Sequence, residues 1–361
     1  MNSIKGKIIN YNESFNGEII FSNKIEKIHK EDKVEDNVII LPGYIDLHCH
    51  GGGGFDTMQG YDSIKKMSHF HLINGTTTLL PTTMTSKFDH IKKALHGFNN
   101  LAEDTTNNIE GIHLEGPFIN PNKLGAQPAL TQLPSNEFIE NILEIANIKV
   151  ITLAPEIEGM NEFIKFLISK KIQVQFGHTL ADFKTSNEYL SKYPIGFTHL
   201  YNAMSGHTSR ESGVLSSALL NGKYAEIICD KNHVSQEAIK IAHKSIPRLY
   251  AITDAISATG LADGIYNFAG VAVEKKNNKV CLQDSNTLAG SAITMHETFK
   301  NLIDMNFSFE EAVRMTSYNA SKYLKLDNLG VLEKNNFSNF IVMDKNLNLL
   351  RIFLKGELVS E

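Results

Sequence analysis

Short apolar runs recur along the middle of the chain, separated by stretches in which apolar positions repeat at helical spacing. The runs are YIDLHCH from Tyr44, TTTLLPTT from Thr76, GIHLEG from Gly111, KVITLAPE from Lys149, IQVQFGHT from Ile172, IGFTHLYN from Ile195, AEIICD from Ala225 and LYAITDA from Leu249. Strands alternating with helices predict parallel βαβ units, and eight of them predict a closed (β/α)8 barrel of the TIM type. An open doubly wound sheet is the alternative, but no GxGxxG opens a helix after the first run. The stripe Phe163, Phe166, Leu167 reads as the core face of one helix.

Both ends of the chain carry a different pattern. KGKIIN, GEIIFSN and NVIILPG read as short strands, with Asn16-Gly17 predicting a turn. From Leu329 onward, GVLEKNNFSNFIVMD and LNLLRIFLKGELVS read the same way. The expected organisation is a small β-sandwich domain built from 1–43 plus 330–361, bracketing a barrel over 44–329.

Composition narrows the function classes. The 361 residues are 42% hydrophobic and 21% charged, as in an ordinary globular protein, and the net charge of −5 argues against a nucleic-acid binder. No apolar run reaches the ~18 residues that span a bilayer, and MNSIKGKIIN has no signal-peptide apolar region. Three dispersed cysteines (Cys49, Cys229, Cys281) form neither a disulfide framework nor a CxxC pattern. A reducing, cytoplasmic location is the expectation.

The candidate chemistry lies where the predicted strands end. In LPGYIDLHCHGGGG, His48 and His50 share one strand face and Cys49 takes the other, while the glycines allow a sharp turn and a close approach of ligand. Further strands end at Glu115-Gly116-Pro117, Gly177-His178-Thr179, Thr198-His199 and Thr253-Asp254. A barrel gathers such ends at one face, and imidazole with carboxylate suits Zn²⁺, Fe²⁺, Co²⁺ or Mn²⁺. A divalent metal centre is therefore expected. His113 shares the face of Glu115 and is expected to support or pack. His69, His71, His90, His96, His207 and His243 are expected at the solvent, and Cys49 in the core.

The HxH pair, the two histidines ending strands five and six and the aspartate ending strand eight resemble the amidohydrolase superfamily. Longer stretches resemble one family within it, the N-acetylglucosamine-6-phosphate deacetylases: GIHLEGPFINPNKLGAQP (111–128), FGHT (176–179), THLYNAMSGHTSR (198–210), CDKNHV (229–234), AITDAISATG (251–260) and TLAGSAITM (287–295). The resemblance implies hydrolysis of the acetamide of N-acetylglucosamine 6-phosphate in amino-sugar metabolism, with one or two divalent ions per subunit. It places Glu115 where many amidohydrolases carry a carboxylated lysine, with His178 and His199 completing one metal position and His48 and His50 implying a second. Asp254 is implied as the acid/base. A bound divalent ion lowers the pKa of water from ~15.7 toward ~7, which amide hydrolysis at neutral pH requires. Arg210 matches a phosphate-binding arginine that reaches across a homodimer interface. Asn202 and Ala203 match phosphate and sugar contacts, His233 a sugar-hydroxyl ligand, and Ala126 and Gln127 a loop over the substrate. Gln127 cannot titrate, so it is expected to orient and not to transfer protons. Leu288, Ala289 and Gly290 match a loop lining the sugar and acetyl pocket. Three other readings stand beside this one. An N-acetylgalactosamine-6-phosphate deacetylase would keep the same metal site. A cyclic amidase would carry a bridging lysine in place of Glu115, and a non-catalytic assembly protein would have lost ligands.

Overall fold

The computed structural model describes residues 2–34, 38–104, 107–268 and 270–360. All eight expected barrel strands form: Tyr44–Cys49, Thr76–Thr83, Ile112–Glu115, Ile148–Leu153, Gln173–Phe176, Gly196–Phe197, Tyr224–Ile228 and Arg248–Ile252. The first six pair in parallel and in order, as do the last two. Backbone hydrogen bonds close the ring, with Leu200 N–H donating to the Glu226 carbonyl, and Asp254 N–H to the His48 carbonyl and His50 N–H to the Ala255 carbonyl, each at 2.9 Å. Buried Asp46 reinforces the seam between the first and eighth strands, accepting from the Thr253 hydroxyl and from the backbone N–H of His48 and Thr253.

The layer outside the barrel follows the helical periodicity. In the helix Met160–Ser169, Phe163 and Leu167 are buried and Phe166 packs half-buried against the same core. Cys49 packs with Met67 and Leu79 in that layer, as expected of a strand face opposite His48 and His50. His71 departs from its expected exposure. It lies on the inner face of the helix Tyr61–Leu72, fully buried, with Nε2 2.9 Å from the Gly51 carbonyl. Its neighbours Ile64 and Met67, seven and four residues earlier, are buried on the same face, so helical spacing sets its burial. His243 is half-buried against Phe307, again unlike the expectation.

The terminal segments form one continuous seven-stranded sheet. Its order is Glu357–Ser360, Leu349–Leu354, Phe340–Asp344, Val38–Pro42, Asn2–Ile9, Ser14–Phe21, Ile25–Lys30. The strands of Phe21 and Phe353 stand four places apart in that order, ~19 Å in a flat sheet. Their ring centroids are nevertheless 5.2 Å apart, so the sheet folds over onto its own apolar face. Phe340 and Val342 face this inner cluster, while Ile341 and Met343 face the barrel core. Side chains so enclosed contribute ~1.5–3 kcal/mol each.

One expectation fails here for a local reason. Asn16-Gly17 is not a turn but the middle of Ser14–Phe21, with Gly17 paired to Gly6. The chain reverses earlier, where Asn10 N–H donates to the Glu13 carbonyl, and a Cβ at Gly17 would strike the His29 carbonyl of the next strand. A three-stranded antiparallel sheet, Gly264–Phe268, Val271–Lys276 and Lys279–Leu282, follows the eighth barrel strand and was not foreseen. Among the described residues no helix is long and apolar enough to cross a membrane.

Candidate active site

The barrel delivers its polar strand ends to one mouth. His178, His199 and Asp254 adopt left-handed backbone conformations (φ 50°, 29° and 50°), which are uncommon for non-glycine residues. Each such kink turns a side chain inward over the barrel axis. Gly290 makes room for one of them, because a Cβ there would press on Ile256 and the Asp254 carbonyl.

Six side chains converge. Glu115 Oε1 lies 3.2 Å from His178 Nε2 and 3.1 Å from His199 Nε2, and its Oε2 lies 3.1 Å from His50 Nε2. His48 and His50 bring their Nε2 atoms within 3.2 Å of each other, and Asp254 Oδ1 lies 3.3 Å from His50 Nε2 and 3.5 Å from His48 Nε2. The Nδ1 atoms of His178 and His50 face the carbonyls of Lys123 (2.9 Å) and Thr82 (3.2 Å). A carbonyl only accepts, so these Nδ1 atoms carry hydrogen and leave Nε2 for the centre. His48 Nδ1 faces the Glu226 carboxylate at 2.9 Å, with the same result. Nitrogen lone pairs 3.2 Å apart, as in the His48–His50 pair, repel unless a cation lies between them. The donor set therefore fits divalent metal, in two groups: Glu115, His178, His199 and His48, His50, Asp254.

Electrostatics point the same way. Burial works against charge on Glu115, but the surrounding histidines hold its pKa well below the ordinary carboxylate range. Asp254 is likewise lowered to about 2, His48 and His50 overcoming its burial. Burial opposes charge on His50 too, but Asp254 and Glu115 outweigh it and raise the pKa to about 9. An ion entering at pH 7 must therefore displace protons from this cluster. Calorimetric metal titration in buffers of different ionisation enthalpy is expected to show proton release at pH 7, with affinity falling as pH drops below about 9. Heats independent of the buffer would contradict this charge state.

A cleft of about 440 Å³ opens above the cluster, within the ~300–1,000 Å³ typical of small-molecule sites. His50, Glu115, His178, His199 and Asp254 form its floor, and Ala126, Gln127, Asn202, Ala203, His233, Leu288 and Gly290 stand in its walls. His233 is held by Asp230, whose Oδ2 is 2.7 Å from its Nδ1. Three of the expected positions have distinct surroundings. Ala289 is fully buried behind the wall, packed with Met84, Ile256 and Phe268, because the chain alternates between Leu288 and Gly290. Gln127 is saturated by protein, its carbonyl accepting from Thr85 N–H and its amide donating to Glu115 and Met84 Sδ, so what it orients is Glu115. Arg210 is exposed in a loop away from the cleft. The glycines after His50 also serve the fold instead of a ligand. Gly53 and Gly54 make a tight hairpin turn, and Gly51 and Gly52 pack where a Cβ would strike Ser257 or His71.

Other residues of the site were not foreseen. Phe268, from the three-stranded sheet, lines the cleft with its ring 5.5 Å from that of His50. Lys123, Asn286 and Thr287 also line it, and Glu226 backs His48 from beneath. His113 fills a supporting place, bonded to the Leu47 carbonyl and the Thr152 hydroxyl.

Comparison with known proteins agrees with this geometry. Residues 39–359 match the model of the amidohydrolase family. An N-acetylglucosamine-6-phosphate deacetylase of Bacillus subtilis is 34% identical over 347 residues, covering 92% of this chain and 87% of the relative. An N-acetylgalactosamine-6-phosphate deacetylase of Escherichia coli is 29% identical, covering 92% of the relative. The crystal structure of N-acetylglucosamine-6-phosphate deacetylase from Thermotoga maritima superposes with a TM-score of 0.92 at 29% identity, each chain covered in full.

Proposed function

The chain belongs to the amidohydrolase family, and on that premise we propose that it hydrolyses N-acetylglucosamine 6-phosphate to glucosamine 6-phosphate and acetate. The observation that carries this reading is the convergence of His50, Glu115, His178, His199 and Asp254 on the floor of one cleft, with His48 buried directly beside them. An assembly protein freed from catalysis has no reason to keep all six. The stronger identity to a gluco-specific relative, 34% against 29%, favours that epimer over the galacto one. Acetate release from a panel of acetylated sugar phosphates tests both points. No release from any of them would refute the reading.

Glu115, His178 and His199 would hold one divalent ion, and His48, His50 and Asp254 a second; Zn²⁺ or Fe²⁺ suits the nitrogen-rich set best. When bound, the metal supplies an acidified water and a Lewis acid for the acetyl carbonyl. Asp254, held as a carboxylate, takes the water's proton as its oxygen bonds to the acetyl carbon. It then returns that proton to the sugar nitrogen as the C–N bond breaks, so that an amine leaves and acetate remains. Leu288 and Gly290 flank the acyl side, while His233 and Asn202 meet the sugar. The segments 1–43 and 330–361 act as one β-rich unit that braces the barrel.

Phosphate recognition falls to Arg210, supplied by the second subunit of a homodimer, since its own chain leaves it exposed outside the cleft. Arg210→Ala is expected to remove a charge-assisted contact worth ~1.5–3 kcal/mol. That is roughly a ten- to 150-fold loss in kcat/KM for the phosphorylated sugar, with little change for N-acetylglucosamine itself. Mixing Arg210→Ala with Asp254→Asn subunits should restore activity, because the hybrid dimer holds one site with both native residues. Equal losses on both sugars, or no recovery among subunits shown to exchange, would rule this role out.

A further inference from the structure

Glu226 lies in the seventh barrel strand, Tyr224–Ile228, and projects into the barrel interior below the cleft, completely buried. Its Oε2 is 2.9 Å from His48 Nδ1 and accepts from the backbone N–H of His199 at 3.3 Å. Its Oε1 accepts from Gln175 Nε2 at 3.0 Å and from the Tyr250 hydroxyl at 3.4 Å. These neutral donors satisfy its lone pairs, but none offsets its charge. A carboxylate taken out of water needs a cation or it is strongly destabilising. The imidazole of His48, with whatever lies at its far nitrogen, is the partner the geometry offers. His113 does not compete for it, because both its ring nitrogens are engaged by Leu47 and Thr152. The close-set trio His48, His113 and Glu226 is thus a support and not a third ion position.

The support is unequal across the site. His50 and His178 rest on neutral carbonyls, and the Nδ1 of His199 is buried with no partner. His48 is the one of the four backed by a formal charge. A carboxylate on Nδ1 fixes the ring's tautomer and orientation and enriches the opposite nitrogen as a ligand, an effect worth 10- to 100-fold in metal affinity where it has been removed. Here it acts through the ring of His48 and hence on the group His48, His50, Asp254; its link to the other group is the 3.3 Å bond from the His199 backbone N–H, which does not touch that imidazole.

We propose that Glu226 is a positioning residue that sets the affinity of the His48–His50–Asp254 metal position and thereby decides whether a second ion is held. This rests on the metal-dependent reading above. The test is Co²⁺ binding to the full chain, followed by equilibrium dialysis with elemental analysis and by the visible absorption of the bound ion. His50→Ala marks the signal of the affected position. Glu226→Gln keeps size and polarity but removes the charge, and Glu226→Asp keeps the charge but shortens the reach. Each is expected to weaken the step lost in His50→Ala by roughly 10- to 100-fold and to spare the other. Circular dichroism confirms folding, and the aspartate variant carries the test if the glutamine variant does not fold. Wild-type affinity at both positions in either folded variant would overturn the proposal. So would equal weakening of both, or a wild type that saturates at one ion. Selective loss of the second ion in a protein that releases no acetate would instead sustain this proposal and sink the deacetylase reading.

Discussion

Replacing Asp254 with asparagine is expected to lower kcat by about 10²–10⁴, the range for loss of a positioned acid/base. The substitution keeps the shape of the side chain and its place beside His50 and His48. It removes the ability to take a proton. In the native protein the carboxylate is held ionised at neutral pH, its pKa lowered to about 2 as the histidines overcome its burial, so it is in the form that can take up a proton. Substrate binding, followed by calorimetry, should change far less than turnover. Because Asp254 also belongs to one metal group, the variant's metal content must be measured alongside. Near-normal turnover at native metal content would refute the role.

Glu115→Ala should act at least as strongly, through both metal positions together. One carboxylate oxygen faces His178 and His199 while the other faces His50, so Glu115 is the anion common to the two donor groups. Without it the centre keeps four imidazoles and Asp254 but loses the one carboxylate that faces both donor groups. Elemental analysis is expected to find both positions emptied and kcat reduced by at least ~10²–10⁴. His199→Ala should strip the Glu115, His178, His199 position and leave the other partly filled. Full occupancy in both variants would end the assignment of a metal centre.

Much of this site was legible because its residue types are out of place. Histidine, glutamate and aspartate at the ends of otherwise apolar runs have few uses in a barrel besides chemistry, and strand alternation put His48 and His50 on one face. The eight barrel strands were legible for the same reason, through their spacing. What escaped attention was governed by tertiary context. Glu226 sits within an apolar strand instead of at its end, and only the closed ring brings it beneath His48. The helical spacing of His71 with Ile64 and Met67 did carry a signal for burial. Phe268 belongs to an inserted sheet whose alternating residues, from Tyr266 to Leu282, resemble any surface hairpin until it lies over the cleft. Asn16-Gly17 carries a strong turn signal that the pairing of Gly6 with Gly17 overrides.

The order of the terminal sheet has a bearing on how the chain is made. Val38–Pro42 stands between Asn2–Ile9 and Phe340–Asp344, so one of its two neighbours lies roughly 300 residues downstream. At ~5–20 residues per second, a ribosome needs on the order of half a minute to supply it. Throughout that interval Ile40 and Leu41 lie on an open strand edge, the kind of surface on which nascent chains aggregate. The barrel can begin to close as its own strands emerge, but its brace must wait until Phe340–Asp344 has been made. A message truncated before Phe340 would therefore release a chain in which Val38–Pro42 presents a sticky, unfinished sheet edge, and such products should be cleared by proteolysis or accumulate as insoluble material.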